Sequence, residues 1–279
     1  MPYEFKKAMM YRMPTHFGPS LGPRQGEGGR KFANIDSPKK MVMSVRYLTN
    51  RKQLEDLLPE GFELVSDPVV TVAVTYLTEI EWLAGRGYDT LGIDFPAAFK
   101  GKKDRVSGNF LAVLWENLAD PIFIGREELG FSKIYCEIPE PRILNGQTHC
   151  IASWLGFKFM DLKVEKMKQL SPEAIAENLK KEAESDGTLH YKYMPRTSDW
   201  GQPDVCYAVL TPSGGSNEVV KEMWRGEGTV QFHKAAWEDL PTMFHIVNVL
   251  RNLEMKEYRG AMMVKSVGGK DLSDQQILQ

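Results

Sequence analysis

The sequence is poor in the residues that mark several large protein classes. Its three cysteines, Cys136, Cys150 and Cys206, are spread along 279 residues with no CxxC pair. An odd, scattered set excludes a disulfide framework and a cysteine zinc site, and reads as buried structural thiols in a reducing compartment. The five histidines fall in no HxH or HExxH spacing, so no metal is expected. Neither sign of charge dominates: 35 basic residues face 37 acidic ones, a formal charge of −2. That balance points to no nucleic acid and no anionic membrane as a partner. No apolar run reaches transmembrane length, and "MPYEFKKAMMYRMPTHFGPS" lacks the uninterrupted apolar core of a secretory signal. The default address is therefore the cytoplasm. There is no internal repeat, no GxGxxG after a strand and no P-loop, so no cofactor is expected.

What is present is enough apolar material for a sizeable core, 42% of residues. Residues 1–36 include the Gly- and Pro-rich "THFGPSLGPRQGEGGRKFANID" and read as an extended arm. Tyr3, Phe5, Met9, Met10 and Tyr11 are too apolar for a free tail, so the arm should pack on the body or on a neighbouring subunit. A single domain is expected over 37–267, followed by a loose tail, 268–279. Strands are predicted at "MVMSVRYL", "VVTVAVTYLTEIEW", "GNFLAVLWEN", "THCIASWLGFKFMDLKVEKM", "LHYKYM", "DVCYAVLT", "NEVVKEMW" and "GTVQFH". "ADPIFI" and "IYCEI" also look like strands, and "HIVNVLRNLEMKEY" leans the same way. A short helix follows Asn50, a clearer one runs through "SPEAIAENLKKEAESDG" behind Ser171 and Pro172, and "KAAWEDL" suggests a helical turn. About nine strands adjacent in sequence, with two or three short helices, predict an α+β, mainly β fold built on an antiparallel sheet closing on itself.

Between "ADPIFI" and "IYCEI" lies "GREELGFSK", residues 125–133. Lysine becomes a nucleophile when burial or a nearby cation removes its proton, and its amine then forms a Schiff base with a ketone. Lys133 has apolar neighbours on both sides and is a candidate, set against the ordinary alternative of a lysine that snorkels to solvent.

The stretch "NLADPIFIGREELGFSKIYCEI" resembles the signature of the acetoacetate decarboxylase family, a Gly-Arg-Glu turn followed by an aromatic, a small residue and the Schiff-base lysine. "LEDLLPEGFEL", "GYDTLGIDFPAAF" and "EMWRGEGTVQFHKAAWEDLP" resemble the family's early helix-Pro-strand element, its pocket loop and its Trp-x-Gly strand pair. The similarity runs from about residue 38 to 265. It implies a cone-shaped, largely antiparallel β-barrel, a homo-oligomer, Lys133 as nucleophile and Phe131 as the aromatic of the pocket. Arg126 and Glu127 would brace the loop through backbone and mutual bonds, while Glu128 faces solvent.

The departures from the family pattern are specific. The family's second lysine, directly after the nucleophile, is Ile134 here. Its two pocket glutamates fall at Ala73 and Thr90, and its carboxylate-handling basic residue falls near Lys40. Ala73 and Thr90 are smaller than glutamate and leave room for a bulkier, less polar substrate. Replacement acids are available in Glu116, Asp89 and Asp94. Glu116 is read either as a catalytic acid or as the orienting partner of Arg126, and Asp89 either as an acid or as a turn former. Three readings of function stay open. The first is a Schiff-base lyase releasing CO2 from a β-keto acid larger than acetoacetate. The second is a Schiff-base aldolase, dehydratase or cyclase on an oxo acid, and the third a barrel that binds an apolar small molecule without chemistry.

Overall fold

The computed structural model describes residues 4–279; Tyr3, counted above with the arm, lies outside them. The ordered elements begin with β1 (Lys39–Leu48), α1 (Arg51–Glu55), β2 (Phe62–Leu64), β3 (Val69–Ile80), β4 (Arg86–Lys100) and β5 (Arg105–Glu116). Then come α2 (Ala119–Ile124), a single π turn over Gly125–Leu129, β6 (Lys133–Tyr135) and β7 (Arg142–Leu144). The hairpin β8 (Gln147–Trp154) and β9 (Phe157–Gln169) leads to α3 (Pro172–Glu182), β10 (Gly187–Arg196) and β11 (Asp199–Pro212). The last elements are β12 (Val219–Phe232), α4 (Phe244–Arg251), β13 (Glu257–Val267) and β14 (Gln276–Ile277).

The fold is mainly β, as the β-branched, strand-rich sequence requires. All strands join one sheet in the order β14-β11-β10-β5-β4-β3-β1-β13-β12-β9-β8-β7, with β2 on β4 and β6 on β5. The expected barrel-like sheet is realised as an open sheet, because its hydrogen-bonded order does not close. Pairing is antiparallel except for β10 and β6, which lie parallel to β5. Among the described residues no helix is long and apolar enough to cross a membrane.

Alternation along the central strands separates two faces. Met43, Val45, Tyr47, Val70, Val72, Val74, Leu91, Ile93 and Phe95 form the buried core on one face. The other face carries Ser44, Thr71, Ala73 and Asp94, which line a cavity of about 980 Å³. Asn50 and Ser171 cap α1 and α3 as expected, accepting from the backbone N–H groups of Lys52 and Ala174.

Several local expectations are corrected. "ADPIFI" is α2, and "HIVNVLR" is α4 with Val247 and Leu250 buried. In both, a short apolar run fits helix and strand periods alike, and packing decides. The pocket loop expected at "GYDTLGIDFPAAF" is the long strand β4. The tail is tied down: β14 pairs with β11, Leu278 is buried, and the backbone N–H groups of Lys103 and Asp104 both donate to the Gln279 carbonyl.

Candidate active site

Lys133 opens β6 at a point where β6 runs parallel to β5, level with Leu114. Its side chain is 8% exposed for the residue as a whole and lines the large cavity. Nζ lies 2.8 Å from Glu116 Oε1 and donates to the Pro121 carbonyl at 3.1 Å. The Phe131 ring lies beneath it, 5.5 Å from Nζ to the centroid. Glu116, at the end of β5, is 1% exposed, and its Oε2 has no hydrogen-bond partner in the protein. Burial pushes the Glu116 carboxyl above the ordinary carboxylate range, with Lys133 pulling the other way. A buried ion pair is a weak device for stability, because desolvation cancels most of its attraction. Such a pair, with its lysine on a cavity wall, is a better candidate for chemistry.

The charges of "GREELGFSK" hold four segments together around this lysine. Arg126 donates to the Lys133 carbonyl at 2.8 Å. Lys192, from β10, donates to the Glu127 carbonyl at 2.7 Å and to that of Glu128 at 3.3 Å. Glu128 does not face solvent: its carboxylate pairs with Arg12 and Arg24 of the N-terminal segment. Arg24 also donates to the Asp271 carbonyl near the C-terminus, and Arg12 sits over the Phe123 ring of α2. Glu127 braces through its backbone rather than through Arg126, to which no bond is found among the described residues. The π turn lets this segment bulge, a geometry frequent at functional sites. Gly130 ends it at φ 81°, a left-handed conformation that favours glycine.

His190 fixes Phe131. It is fully buried, stacks on the Phe131 ring at 4.2 Å, and hydrogen-bonds the Gly130 carbonyl at 3.1 Å and Thr211 Oγ1 at 3.0 Å. Burial pushes its pKa down to about 4, so it is neutral in the folded protein at pH 7. The unfolded chain takes up this proton first, near pH 6.5. Stability from His190 is therefore full above about pH 6.5 and falls as the pH drops towards about 4. Replacing His190 by Gln should flatten the acid limb of the stability profile in that window by up to about 1.4 kcal/mol per pH unit. Urea unfolding between pH 7 and 4 measures this; equal slopes for both proteins would contradict it.

The other anticipated residues divide. Phe131 is in place. Ala73 lines the cavity, and Thr90 pairs in register with Glu116. Lys40 lines the cavity too, but its Nζ is held by Glu218 at 2.6 Å. Ile134 points the other way, into a separate apolar groove that also involves Phe131, Tyr191 and Ile246. Asp94 is on the cavity side, where burial raises it to about 7. Asp89 is neither a turn former nor near Lys133: it lies within β4, next to Tyr88 and so on the opposite face, with Asn117 donating to its carboxylate at 2.9 Å.

The sequence reading missed Tyr88, Lys192, His190 and Arg46. Tyr88 lines the cavity, and its hydroxyl is pushed up by burial and by the nearby Glu116. The alternation in "LHYKYM" was the available signal for His190 and Lys192, which share one face of β10. Among the described residues no group of three or more His, Cys, Asp or Glu side chains is placed to hold a metal ion.

The family model of acetoacetate decarboxylase matches residues 12–268. The chain belongs to the acetoacetate decarboxylase family. Solved structures with the same fold include an acetoacetate decarboxylase at 17% identity and TM-score 0.65, covering 88% of this chain and 91% of that one. The acetoacetate decarboxylase of Legionella pneumophila subsp. pneumophila str. Philadelphia 1 is similar at 18% identity and TM-score 0.64, covering 91% and 92%. The enduracididine biosynthesis enzyme MppR is similar at 16% identity and TM-score 0.62, covering 93% and 96%. Comparison with curated protein sequences finds no significant match. Identities this low carry the fold of these relatives to this family member and no more.

Proposed function

We propose that this protein is a cofactor-free Schiff-base lyase in which Lys133 is the nucleophile and Glu116 its proton acceptor. The observation that carries the reading is the buried 2.8 Å contact between Lys133 Nζ and Glu116 Oε1 at the wall of a cavity. Burial raises the proton affinity of Glu116, so the carboxylate is suited to take a proton from the ammonium. The free amine attacks the ketone carbon of a β-oxo acid larger than acetoacetate, and the carbinolamine loses water to give the iminium. The bond to the carboxylate then breaks, its electron pair moves into the iminium to form an enamine, and CO2 leaves. Protonation of the enamine carbon and hydrolysis return the amine and release the ketone. Phe131, held by His190, forms an apolar wall beside the lysine.

A second reading keeps the Schiff base and changes the bond. The family's two pocket glutamates fall at Ala73 and Thr90, and MppR, similar in fold, is described in complex with the condensation product of pyruvate and imidazole 4-carboxaldehyde. The same enamine could attack an aldehyde instead of a proton, giving aldol condensation or dehydration. A cytoplasmic address, a homo-oligomer and a small oxo-acid substrate go with either version.

Product analysis on a panel of oxo acids separates the two. The account expects CO2 release by the native protein and at least about a thousandfold less by Lys133→Ala, with the fold retained. Undiminished turnover by Lys133→Ala would sink both versions.

A further inference from the structure

The cavity extends well past the lysine. Six basic residues line it: Arg24, Lys40, Arg46, Lys133, Lys181 and Lys270. Five of them have a carboxylate partner, respectively Glu128, Glu218, Glu116, Glu177 and Asp274. Arg46 has none: among the described residues its guanidinium makes no ion pair and no hydrogen bond, and the side chain is exposed. A guanidinium on a cavity wall with its donors free is suited to a planar anion.

Its position is set by the sheet. Lys133 lies in the register row Ser44, Ala73, Gly92, Leu114. Arg46 is two residues further along β1, offset about 7 Å along the strand direction, in the row of Thr71 and Asp94, and faces the lysine across the cavity with β3, β4 and β5 between their strands. A register shift between Ile93 and Asp94 marks this point on β4. The acidic groups nearest Arg46 are Asp94 and, from α3, Glu182. Both carboxyls are pushed up by burial, Asp94 to about 7, and neither makes an ion pair or hydrogen bond with Arg46.

We propose that Arg46 reads the far end of the substrate, and that the cavity takes an oxo acid carrying a second anionic group, most simply a dicarboxylate. The proposal takes Lys133 as the reactive end from the reading above, and Arg46 sets specificity from a separate row of the sheet. An oxo acid with one carboxylate fills only the lysine end.

The test uses ligands without a ketone, so it does not depend on Schiff-base chemistry. Adipate and hexanoate, equal in chain length, are titrated by calorimetry into the native protein, Arg46→Gln and Lys40→Gln. Adipate should bind about tenfold or more tightly than hexanoate, and Arg46→Gln should remove that advantage without changing hexanoate affinity. Lys40→Gln should leave the advantage in place. Equal binding of the two acids, no measurable adipate binding, or an advantage that survives Arg46→Gln overturns the proposal. Failure of Lys133 to form an adduct is read separately, by trapping, and counts against the Schiff base alone.

Discussion

Gly125→Ala is expected to fold, with stability lowered by up to about 3 kcal/mol because it separates a buried ion pair, and to lose about a hundredfold or more of its reactivity towards oxo acids. A Cβ at Gly125 would lie 2.5 Å from Lys133 Cδ and Cε and 2.7 Å from Nζ. Real Cβ atoms do not approach so closely, so something must move. The atoms in the way are the far end of a flexible side chain, and they can swing aside without moving the backbone. Gly125 lies in the helical region rather than the left-handed one, so alanine introduces no backbone strain there. The displaced amine loses its 2.8 Å contact with Glu116, and a misplacement near 1 Å is enough to cost about 10²-fold in rate. Thermal unfolding should still show one cooperative transition, at a lowered midpoint, while borohydride trapping slows. A variant that traps oxo acids at the native rate would show that the lysine does not work from the position described here.

The second large effect is expected at Glu116. Glu116→Gln leaves the Lys133 ammonium buried and unpaired, which should cost roughly 3 kcal/mol or more unless the lysine sheds its proton. It also removes the proton acceptor, worth about 10²–10⁴ in rate. The two consequences separate in the double variant. Lys133→Met with Glu116→Gln removes both charges from the interior and should recover most of the stability lost by Glu116→Gln alone, while remaining inactive. Urea unfolding of Glu116→Gln, Lys133→Met and the double variant against the native protein measures the coupling. If Glu116→Gln traps oxo acids at the native rate, Glu116 only fills space.

Much of this molecule was legible in the sequence. The β-branched runs mark β1, β3 and β5, Asn50 and Ser171 mark two helix starts, and the lysine motif singles out the buried Lys133 proposed as nucleophile. The illegible parts have physical causes. "ADPIFI" and "HIVNVLR" are too short for their period to be read, and tertiary packing makes them helices. Glu128 looked solvated because its partners, Arg12 and Arg24, are more than a hundred residues away. Lys192 and His190 carry no local motif; only the docking of β10 beside β5 brings them to the π turn. The arm was expected to pack on the body or on a neighbour, and two of its arginines, Arg12 and Arg24, hold Glu128 in the π turn that precedes Lys133. Glu116 was read as an acid or as the partner of Arg126, but it pairs with Lys133 and Arg126 bonds the Lys133 carbonyl, because register and not sequence spacing sets Glu116 beside Lys133.

The central claim is that Lys133 forms a Schiff base. Borohydride reduction in the presence of an oxo-acid panel, followed by intact mass and peptide mapping, tests it most directly. The account predicts one adduct per chain, on Lys133, with a mass that shows whether CO2 or water has already left. No adduct across mono- and dicarboxylic oxo acids, or an adduct on another lysine with Lys133 untouched, would contradict it.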